Sequence, residues 1–325
     1  MQRTLNLPYA STAVRPSRIQ SWIALQELPK HLANLLPFAL GTVLAWWKAG
    51  AIDWSIFAIS IVGLFFLTDG TYISNEYFDY ENDKANFDRI GGDDKVGVTT
   101  TGGTRVLVKG LIPRRHALIA SVGCFLAAIP FGLWLQLGKH TGALTIPLGA
   151  LGILIGWFYT APPVRAAYRG LGELFIAIGQ GLVIFAAYYI QQGFSWMPLL
   201  VSLPWFVALP ALKLLREFPD YSADESTGKR GLAVILGRER AATLYGAMVL
   251  LALVMFVPGA MLTRSWTYLL AIVPAWLLGR SAGIMLTGAW REKSQLEVAA
   301  VSGFSGMLTI PLTLTAAFVI QTLTR

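Results

Sequence analysis

The chain has little cysteine and few charged residues. Its one cysteine, Cys124, lies in an apolar run, which excludes an intrachain disulfide and a metal centre built from several thiolates. The three histidines, His31, His116 and His140, are dispersed without metal-ligand spacing, so a histidine metal site is not expected. Charged residues are 14% of the sequence, against about 25% in an average soluble domain. This scarcity of charge argues against an ordinary water-soluble domain.

Long hydrophobic runs follow one another along the whole chain. Hydrophobic residues make up 55% of 325, and the mean hydropathy is +0.56. Each run is close to the ~20 residues that a helix needs to cross a bilayer. Backbone polar groups cannot stay unpaired in lipid, so we predict that these runs are helices. The polar N-terminus contains Arg3, Arg15 and Arg18, which does not fit a cleavable signal peptide.

The hydrophobic runs predict an all-α, polytopic membrane protein with nine transmembrane helices. One integral membrane domain is expected to cover residues 1–325. The connecting segments are predicted as a cytoplasmic N-terminal segment, 1–30, and two cytoplasmic cap loops, 84–113 and 217–240. The nine spans are predicted at 32–52, 54–82, 114–137, 142–160, 171–192, 197–216, 241–262, 266–287 and 296–322.

Basic residues are unevenly distributed between the two sides of these spans. With the N-terminus placed inside, 22 of the 26 Lys and Arg residues fall on the cytoplasmic side. The positive-inside rule therefore predicts a cytoplasmic N-terminus and an external C-terminus, in the inner or plasma membrane of the cell. The same distribution accounts for the net charge of +8, so no nucleic-acid partner is expected.

Acidic residues are concentrated in two short stretches. Of the 18 Asp and Glu residues, seven lie in 76–94 and four in 217–225, and both stretches begin where a long apolar run ends. Polar groups near membrane depth are costly to bury, so this concentration predicts a functional site. Each stretch places three polar side chains on one face of a helix. The two sets are Asn75, Asp79 and Asp83, and Glu217, Asp220 and Asp224.

The two acidic stretches share one spacing. Glu76, Asp79 and Asp83 have the same offsets as the second set, which lies 141 residues later. The repeat predicts a pseudo-repeat of two halves that meet at a central polar cavity.

Inward-facing carboxylates indicate a bound cation, because without one they would repel each other strongly. Oxygen ligands select Mg²⁺, Ca²⁺ or Mn²⁺. Mg²⁺ typically takes one or two carboxylates and completes its shell with water and substrate phosphates. We therefore predict a diphosphate bound through Mg²⁺, with the metal acting as a Lewis acid on the leaving group. The predicted metal ligands are Asn75, Asp79, Asp83, Asp220 and Asp224, and the four aspartates are the predicted catalytic residues.

Glycine and basic residues follow each acidic stretch. Arg105 follows Gly103 after the first, and Lys229 and Arg230 follow Gly228 after the second. Glycine lets the backbone approach an anion, and the basic side chains neutralise its oxygens. A rigid turn after the fourth span adds a hydroxyl and a guanidinium. The predicted substrate-binding residues are Asn75, Arg105, Tyr159, Arg165, Glu217, Lys229 and Arg230.

With these two motifs the chain resembles the UbiA superfamily of intramembrane prenyltransferases, which carry N-D-x-x-D-x-x-x-D and D-x-x-x-D motifs on the second and sixth of nine helices. The resemblance covers nearly the whole chain. Three stretches are most similar to the 1,4-dihydroxy-2-naphthoate polyprenyltransferases of menaquinone biosynthesis. They are 34–42, Tyr159-Thr160 with Arg165, and 228–237.

Three residues depart from the family's pattern. Glu76 replaces the usual Asp and keeps the carboxylate. Glu217 stands where the naphthoate subgroup tends to have Asn, and it adds a charge. The Arg-Pro that customarily precedes the first span is missing, and Lys30 is the candidate substitute for it.

The resemblance implies Mg²⁺-dependent transfer of a polyprenyl group from its diphosphate to an aromatic acceptor. By that resemblance, the Asp motifs with Asn75 bind about two Mg²⁺ ions, and Arg165 orients donor or acceptor. The residues expected to hold the diphosphate are Arg105, Lys229 and Arg230. The expected acceptor is 1,4-dihydroxy-2-naphthoate, with 4-hydroxybenzoate, homogentisate, a chlorophyllide or a glycerol-phosphate lipid as alternatives.

A second class of function remains open at this point. A cation-coupled transporter could use the same carboxylates to bind Na⁺ or H⁺, but it would place them near the middle of the membrane. Here they lie at predicted helix ends beside cationic loops, which favours a phosphorylated ligand.

Overall fold

The protein is described by a computed structural model over residues 16–86 and 103–324. Within these two ranges the secondary structure is helical, and no strand is present. The all-α prediction is confirmed for this part of the chain. Part of the predicted N-terminal segment, 1–30, and part of the predicted cap loop, 84–113, lie outside the described residues.

The first half of the chain forms seven helices. Short 3₁₀ turns cover Leu28–His31 and Ala166–Tyr168, and a π-helical turn covers Trp134–Gly138. The helices are α1 (Arg18–Leu25), α2 (Leu32–Ala49), α3 (Trp54–Phe78), α4 (Tyr80–Ala85), α5 (Arg114–Leu133), α6 (Thr145–Phe158) and α7 (Gly172–Gln192).

The second half forms seven more helices. Two further 3₁₀ turns cover Trp266–Ala271 and Ala289–Arg291. The helices are α8 (Met197–Val201), α9 (Leu203–Ser226), α10 (Leu232–Leu236), α11 (Arg238–Val254), α12 (Phe256–Thr263), α13 (Ile272–Leu286) and α14 (Lys293–Leu323).

Among the described residues, six helical segments are long and apolar enough to cross a membrane. Their outward side chains are apolar, as in Ile119, Leu250 and Ile272, each about two-thirds or more exposed. Such a surface is costly in water and suits contact with lipid. The prediction of an integral, polytopic membrane protein is therefore confirmed. The six segments are Trp54–Phe78, Arg114–Gly138, Gly172–Gln192, Arg238–Thr263, Trp266–Leu286 and Lys293–Leu323.

The predicted span 54–82 is interrupted at Asp79. Helix α3 ends at Phe78 and α4 begins at Tyr80, because Asp79 leaves helical geometry with φ −86° and ψ 2°. The backbone N–H of Asp79 still donates to Asn75 O at 2.8 Å, and that of Asp83 donates to Asp79 O at 2.8 Å. The hydrogen-bond ladder thus continues across a bend, and α4 packs against α9.

Helix α9 extends beyond its predicted span, 197–216. It begins at Leu203 and ends at Ser226, so residues 217–226 of the predicted cap loop are helical. Pro219 lies inside the helix, where proline normally removes a backbone hydrogen bond. The extension places both aspartates of the second acidic motif on a helix, which is the geometry that their spacing predicts.

The helices pack in two groups that share the cavity described below. Helices α3, α5 and α6 pack together, and the larger group contains α2, α7, α9, α11, α13 and α14. Contacts across the larger group are close. A Cβ added to Gly41 of α2 would lie 2.3 Å from the Ile184 carbonyl oxygen of α7. Small residues permit this approach of backbones, as is common in membrane bundles.

Candidate active site

A large cavity of about 780 Å³ lies between the helices, with mostly apolar walls and a polar end. Helices α2, α3, α6, α7 and α9 contribute most of its lining. Both acidic motifs line the polar end, although 141 residues separate them in the sequence. The motif residues that line it are Asn75, Asp79, Asp83, Glu217, Asp220 and Asp224.

Two asparagines of the α4 region join the two acidic motifs. The side-chain amide of Asn82 donates to Asp224 Oδ1 at 2.9 Å, and that of Asn86 donates to Asp220 Oδ1 at 2.7 Å. Asn82 and Asp224 are both buried, so these bonds act where water competes little. The bonds fix the carboxylates of α9 toward the first motif.

Lys229 lies between the motifs. Its Nζ is 3.6 Å from Asp79 Oδ2 and 3.7 Å from Asp224 Oδ1. Burial alone would lower the pKa of Lys229, but the carboxylates of Asp79 and Asp224 outweigh burial and hold the pKa well above its usual range. Tyr168 donates its hydroxyl to Asp79 Oδ1 at 2.9 Å. The polar end of the cavity therefore holds a permanent positive charge beside its aspartates.

Asp83 lies just outside the predicted spans, and burial and neighbouring carboxylates both disfavour its charged form. Burial raises its pKa well above the ordinary value, and the neighbouring carboxylates of Glu76 and Asp79 raise it further. The Arg105 guanidinium donates to the backbone carbonyl of Asp83. A divalent cation near this carboxylate would offset the repulsion.

The donor chemistry of the polar end fits Mg²⁺. It offers carboxylate and amide oxygens, which are the ligands that Mg²⁺ prefers. Within residues 16–86 and 103–324, no three His, Cys, Asp or Glu side chains are grouped closely enough to hold a metal by themselves. Water and the oxygens of a bound phosphate would complete the shell of a bound Mg²⁺.

Gly103 approaches the carboxylate of Asp83 more closely than any side chain could. Its φ is +59°, and an added Cβ would lie 2.3 Å from Asp83 Oδ2. We expect Gly103→Ala to displace Asp83 and to lower the predicted prenyl-transfer activity at least tenfold. Gly110→Ala is the matched control, because its φ is +66° and an added Cβ meets nothing within 4 Å. Equal losses in both variants, measured as transfer rates at matched protein amounts, would show that backbone strain alone is responsible.

The predicted basic residues occupy different surroundings. Lys229 and Tyr159 line the cavity. Arg165 stacks its guanidinium 3.8 Å above the Tyr168 ring, and Arg230 is exposed on the loop beside that tyrosine. Arg105 is buried beneath Asp83. The three arginine side chains thus flank the polar end without being part of the cavity lining.

Glu217 lines the cavity but belongs to a separate ion-pair group. Its carboxylate is paired with Lys213 and accepts a hydrogen bond from the Ala233 backbone N–H at 2.8 Å. Lys213 also lies 3.7 Å from Glu173 Oε1. These contacts leave Asp220 and Asp224 as the carboxylates of α9 that face the first motif.

Several residues of the site were not predicted from the sequence. Asn82 could have been predicted, because it follows Asn75 by seven residues and so shares its helix face. Tyr168 lies in a loop far from either motif. Nothing in the sequence near Glu27 and Lys30, which also line the cavity, connects them with the acidic stretches.

The sequence matches the UbiA prenyltransferase family over residues 34–295. The 1,4-dihydroxy-2-naphthoate octaprenyltransferase of Bacillus subtilis (strain 168) is 27% identical over 237 residues, covering 71% of this chain and 70% of that protein. The 2-carboxy-1,4-naphthoquinone phytyltransferase of Synechocystis sp. (strain ATCC 27184 / PCC 6803 / Kazusa) is 26% identical over 224 residues, covering 68% of each.

The fold is similar to that of a UbiA homolog from Archaeoglobus fulgidus. Structures of that protein have been solved with bound DMAPP and Mg²⁺ and with bound GPP and Mg²⁺. Their TM-scores against this chain are 0.61 and 0.60, respectively. In both comparisons the identity is 15%, and the match covers 94% of this chain and 98% of the other. At this identity the likeness shows a shared fold.

Proposed function

Because the chain belongs to the UbiA prenyltransferase family, we propose that it transfers a polyprenyl group from polyprenyl diphosphate to an aromatic acceptor with the help of Mg²⁺. We propose 1,4-dihydroxy-2-naphthoate as the acceptor, in menaquinone biosynthesis. The observation that carries the proposal is the meeting of two aspartate motifs and Lys229 at the polar end of one apolar cavity. The two matched relatives that act on naphthalene derivatives by name support the choice of acceptor.

The polar end is suited to a diphosphate. Asn75 and the aspartates of both motifs would hold Mg²⁺, which would neutralise the diphosphate and make it a better leaving group. Lys229 adds a fixed ammonium group that can bind the phosphate oxygens directly. We propose that Arg105 and Arg230 also bind the diphosphate, and that Arg165 orients the donor or the acceptor.

The apolar walls are suited to the rest of the reaction. Loss of diphosphate leaves an allylic cation, and the electron-rich ring of the acceptor attacks its terminal carbon. The attacked ring carbon then loses its proton, or its carboxylate as CO₂, and the ring regains aromaticity. Leu67, Ile153 and Leu212 belong to the apolar lining, which excludes water that would otherwise capture the cation. The rings of Tyr72 and Tyr159 also line the cavity, and aromatic faces attract cations.

We further propose that nine spans form one membrane domain with a pseudo-repeat of two halves. Besides the six long apolar segments, the spans would be α2, α6 and α9. The acidic motifs and Lys229 would then lie at the cytoplasmic ends of α3 and α9, with the N-terminus cytoplasmic and the C-terminus outside. Their place at helix ends beside basic loops favours a phosphorylated ligand over the transported cation of a transporter.

A panel of acceptors tests this function. Purified protein in proteoliposomes is incubated with labelled geranylgeranyl diphosphate, Mg²⁺ and one acceptor at a time. We expect label to appear on 1,4-dihydroxy-2-naphthoate. The other arms are 4-hydroxybenzoate, homogentisate, a chlorophyllide and a glycerol-phosphate lipid. Label on one of these alone would replace the proposed acceptor, and Mg²⁺-dependent donor binding without transfer to any of them would contradict the enzymatic proposal.

A further inference from the structure

A buried histidine–aspartate pair lies behind the cavity wall. His31 Nε2 is 3.1 Å from Asp69 Oδ1, and the two residues are 4% and 3% exposed. The same nitrogen is 3.2 Å from the Gln26 carbonyl oxygen. Because a carbonyl oxygen can only accept, Nε2–H donates to Gln26, and Asp69 Oδ1 contacts the same nitrogen at ion-pair distance. Asp69 lies well inside the membrane-spanning helix α3, where a carboxylate is costly and marks a functional role.

The pair fastens a strained turn to α3. The turn covers residues 26–31, and Glu27 within it has φ 51° and ψ 40°, a left-handed conformation that glutamate rarely adopts. Tyr72 of α3 donates its hydroxyl to the Lys30 carbonyl oxygen at 3.0 Å. The Tyr72 ring also packs on the His31 ring, with centroids 5.5 Å apart. Such strain persists only where the surroundings hold it, and it is typical of functional sites.

The turn presents charged side chains to the same cavity. Glu27 and Lys30 form an ion pair, and both line the cavity together with Tyr72. Tyr72 precedes Asp79 by seven residues, so this wall lies about 10 Å further along the helix axis than the acidic motif. The part of this wall at Tyr72 therefore lies beyond the acidic motif, toward the apolar part of the cavity.

The carboxylate of Glu27 determines which kind of ligand the turn can bind. Glu27 is buried, and its carboxylate would repel a diphosphate but accept a hydrogen bond from a hydroxyl group. Lys30 forms an ion pair with that carboxylate. A hydroxylated aromatic ring has a hydroxyl group that can donate a hydrogen bond to Glu27 and an apolar ring that can pack against the cavity walls.

Resting on the function proposed above, we propose that the turn at residues 26–31 is the acceptor-binding element of the cavity. Glu27 accepts a hydrogen bond from a ring hydroxyl of a hydroxyarene acceptor. His31 and Asp69 are positioning residues, which hold the turn in the strained conformation that aims Glu27 at the ring.

Equilibrium dialysis with the purified full-length protein tests the proposal. The binding of labelled 1,4-dihydroxy-2-naphthoate is measured with Mg²⁺ and geranylgeranyl thiodiphosphate, a slowly reacting donor analogue, and the Kd of that analogue is measured in parallel. The variants are Glu27→Gln, Asp69→Leu and Asp69→Asn. Ser74→Ala is the matched control, because Ser74 is also buried on α3 and bonds only within its own helix.

We expect Asp69→Leu to raise the acceptor Kd at least tenfold. Glu27→Gln keeps an accepting oxygen but loses the charge that strengthens the hydrogen bond, so it should raise the acceptor Kd severalfold. In both variants the Kd of the donor analogue should stay within about twofold. Asp69→Asn keeps an oxygen that can accept from His31, so it should restore most of the acceptor affinity. The 1,4-dimethoxy analogue of the acceptor, which cannot donate, should bind wild type and Glu27→Gln equally weakly.

An unchanged acceptor Kd in Glu27→Gln would overturn the proposal, even if Asp69→Leu fails to fold. A parallel rise of both Kd values in Asp69→Leu would overturn the positioning role, because it indicates a general structural loss. Wild-type protein that binds both ligands but transfers nothing would contradict the proposed function and leave the binding result intact.

Discussion

Asp79→Ala and Asp220→Ala will each abolish prenyl transfer while the protein stays folded in detergent. Each substitution removes a carboxylate from the polar end of the cavity, where the two motifs face each other. Groups that stabilise developing charge in a preorganised site contribute about a hundred- to a thousandfold each. Loss of a metal-binding carboxylate affects both donor binding and departure of the leaving group, so we expect the rate to fall by at least about a thousandfold.

The transfer rate is measured with labelled donor under saturating acceptor, and folding is followed by thermal unfolding in detergent. Asp53→Ala is the matched control, because Asp53 caps the opposite end of the same helix, α3, and is exposed. It should lower stability slightly through loss of the helix cap and leave the transfer rate near wild type. Full activity in either Asp79→Ala or Asp220→Ala would remove these residues from the mechanism.

Chelation of divalent metal will reduce transfer to background, and added Mg²⁺ will restore it. The polar end brings together aspartates of both motifs, with Lys229 and Arg216 among the basic residues beside them. These positive charges are too few to balance four aspartates and a diphosphate together. Mn²⁺ also prefers oxygen ligands, so it should replace Mg²⁺.

The measurement is the transfer rate after dialysis against EDTA, followed by titration with Mg²⁺. EDTA saturated with Mg²⁺ beforehand is the control, since it contains the chelator without its effect on the metal. Transfer that persists unchanged after exhaustive dialysis would contradict the metal-dependent mechanism. Donor binding should be lost and regained together with activity, because the metal links the aspartates to the diphosphate.

The acidic part of the site could be predicted because local spacing encodes it. Asn75, Asp79 and Asp83 recur every fourth residue, and this period places them on one helix face whatever their tertiary surroundings. The bend at Asp79 could not be predicted in this way, because the spacing of polar residues carries no information about the direction of the helix axis. The polar residues on both sides of the bend still line the cavity. The same local rule explains why Asp220 and Asp224 are found on a helix.

The remainder of the site depends on contacts between distant segments. Tyr168 reaches Asp79 across 89 residues, and Tyr72 reaches the Lys30 carbonyl across 42. No periodic pattern encodes such pairs, since they arise only when separate helices pack. The strained conformation of Glu27 is likewise set by its neighbours and not by its own preference.

Glu217 shows how tertiary contacts reassign a residue. Its spacing from Asp220 and Asp224 places it with the aspartates that are predicted to bind the metal. In the structure its carboxylate instead pairs with Lys213 and accepts from the Ala233 N–H. Lys213 precedes it by one helical turn, so an i, i+4 ion pair was available as a competing interpretation of the same residues.

The anomalous scattering of Mn²⁺ tests the central claim most directly. Crystals of the protein grown with Mn²⁺ and geranylgeranyl thiodiphosphate are measured near the manganese absorption edge. The account predicts anomalous peaks at the polar end of the cavity, with ligands from Asp79 or Asp83 and from Asp220 or Asp224, bridged by diphosphate oxygens. Manganese bound by one motif alone, with the other turned away from the diphosphate, would contradict it.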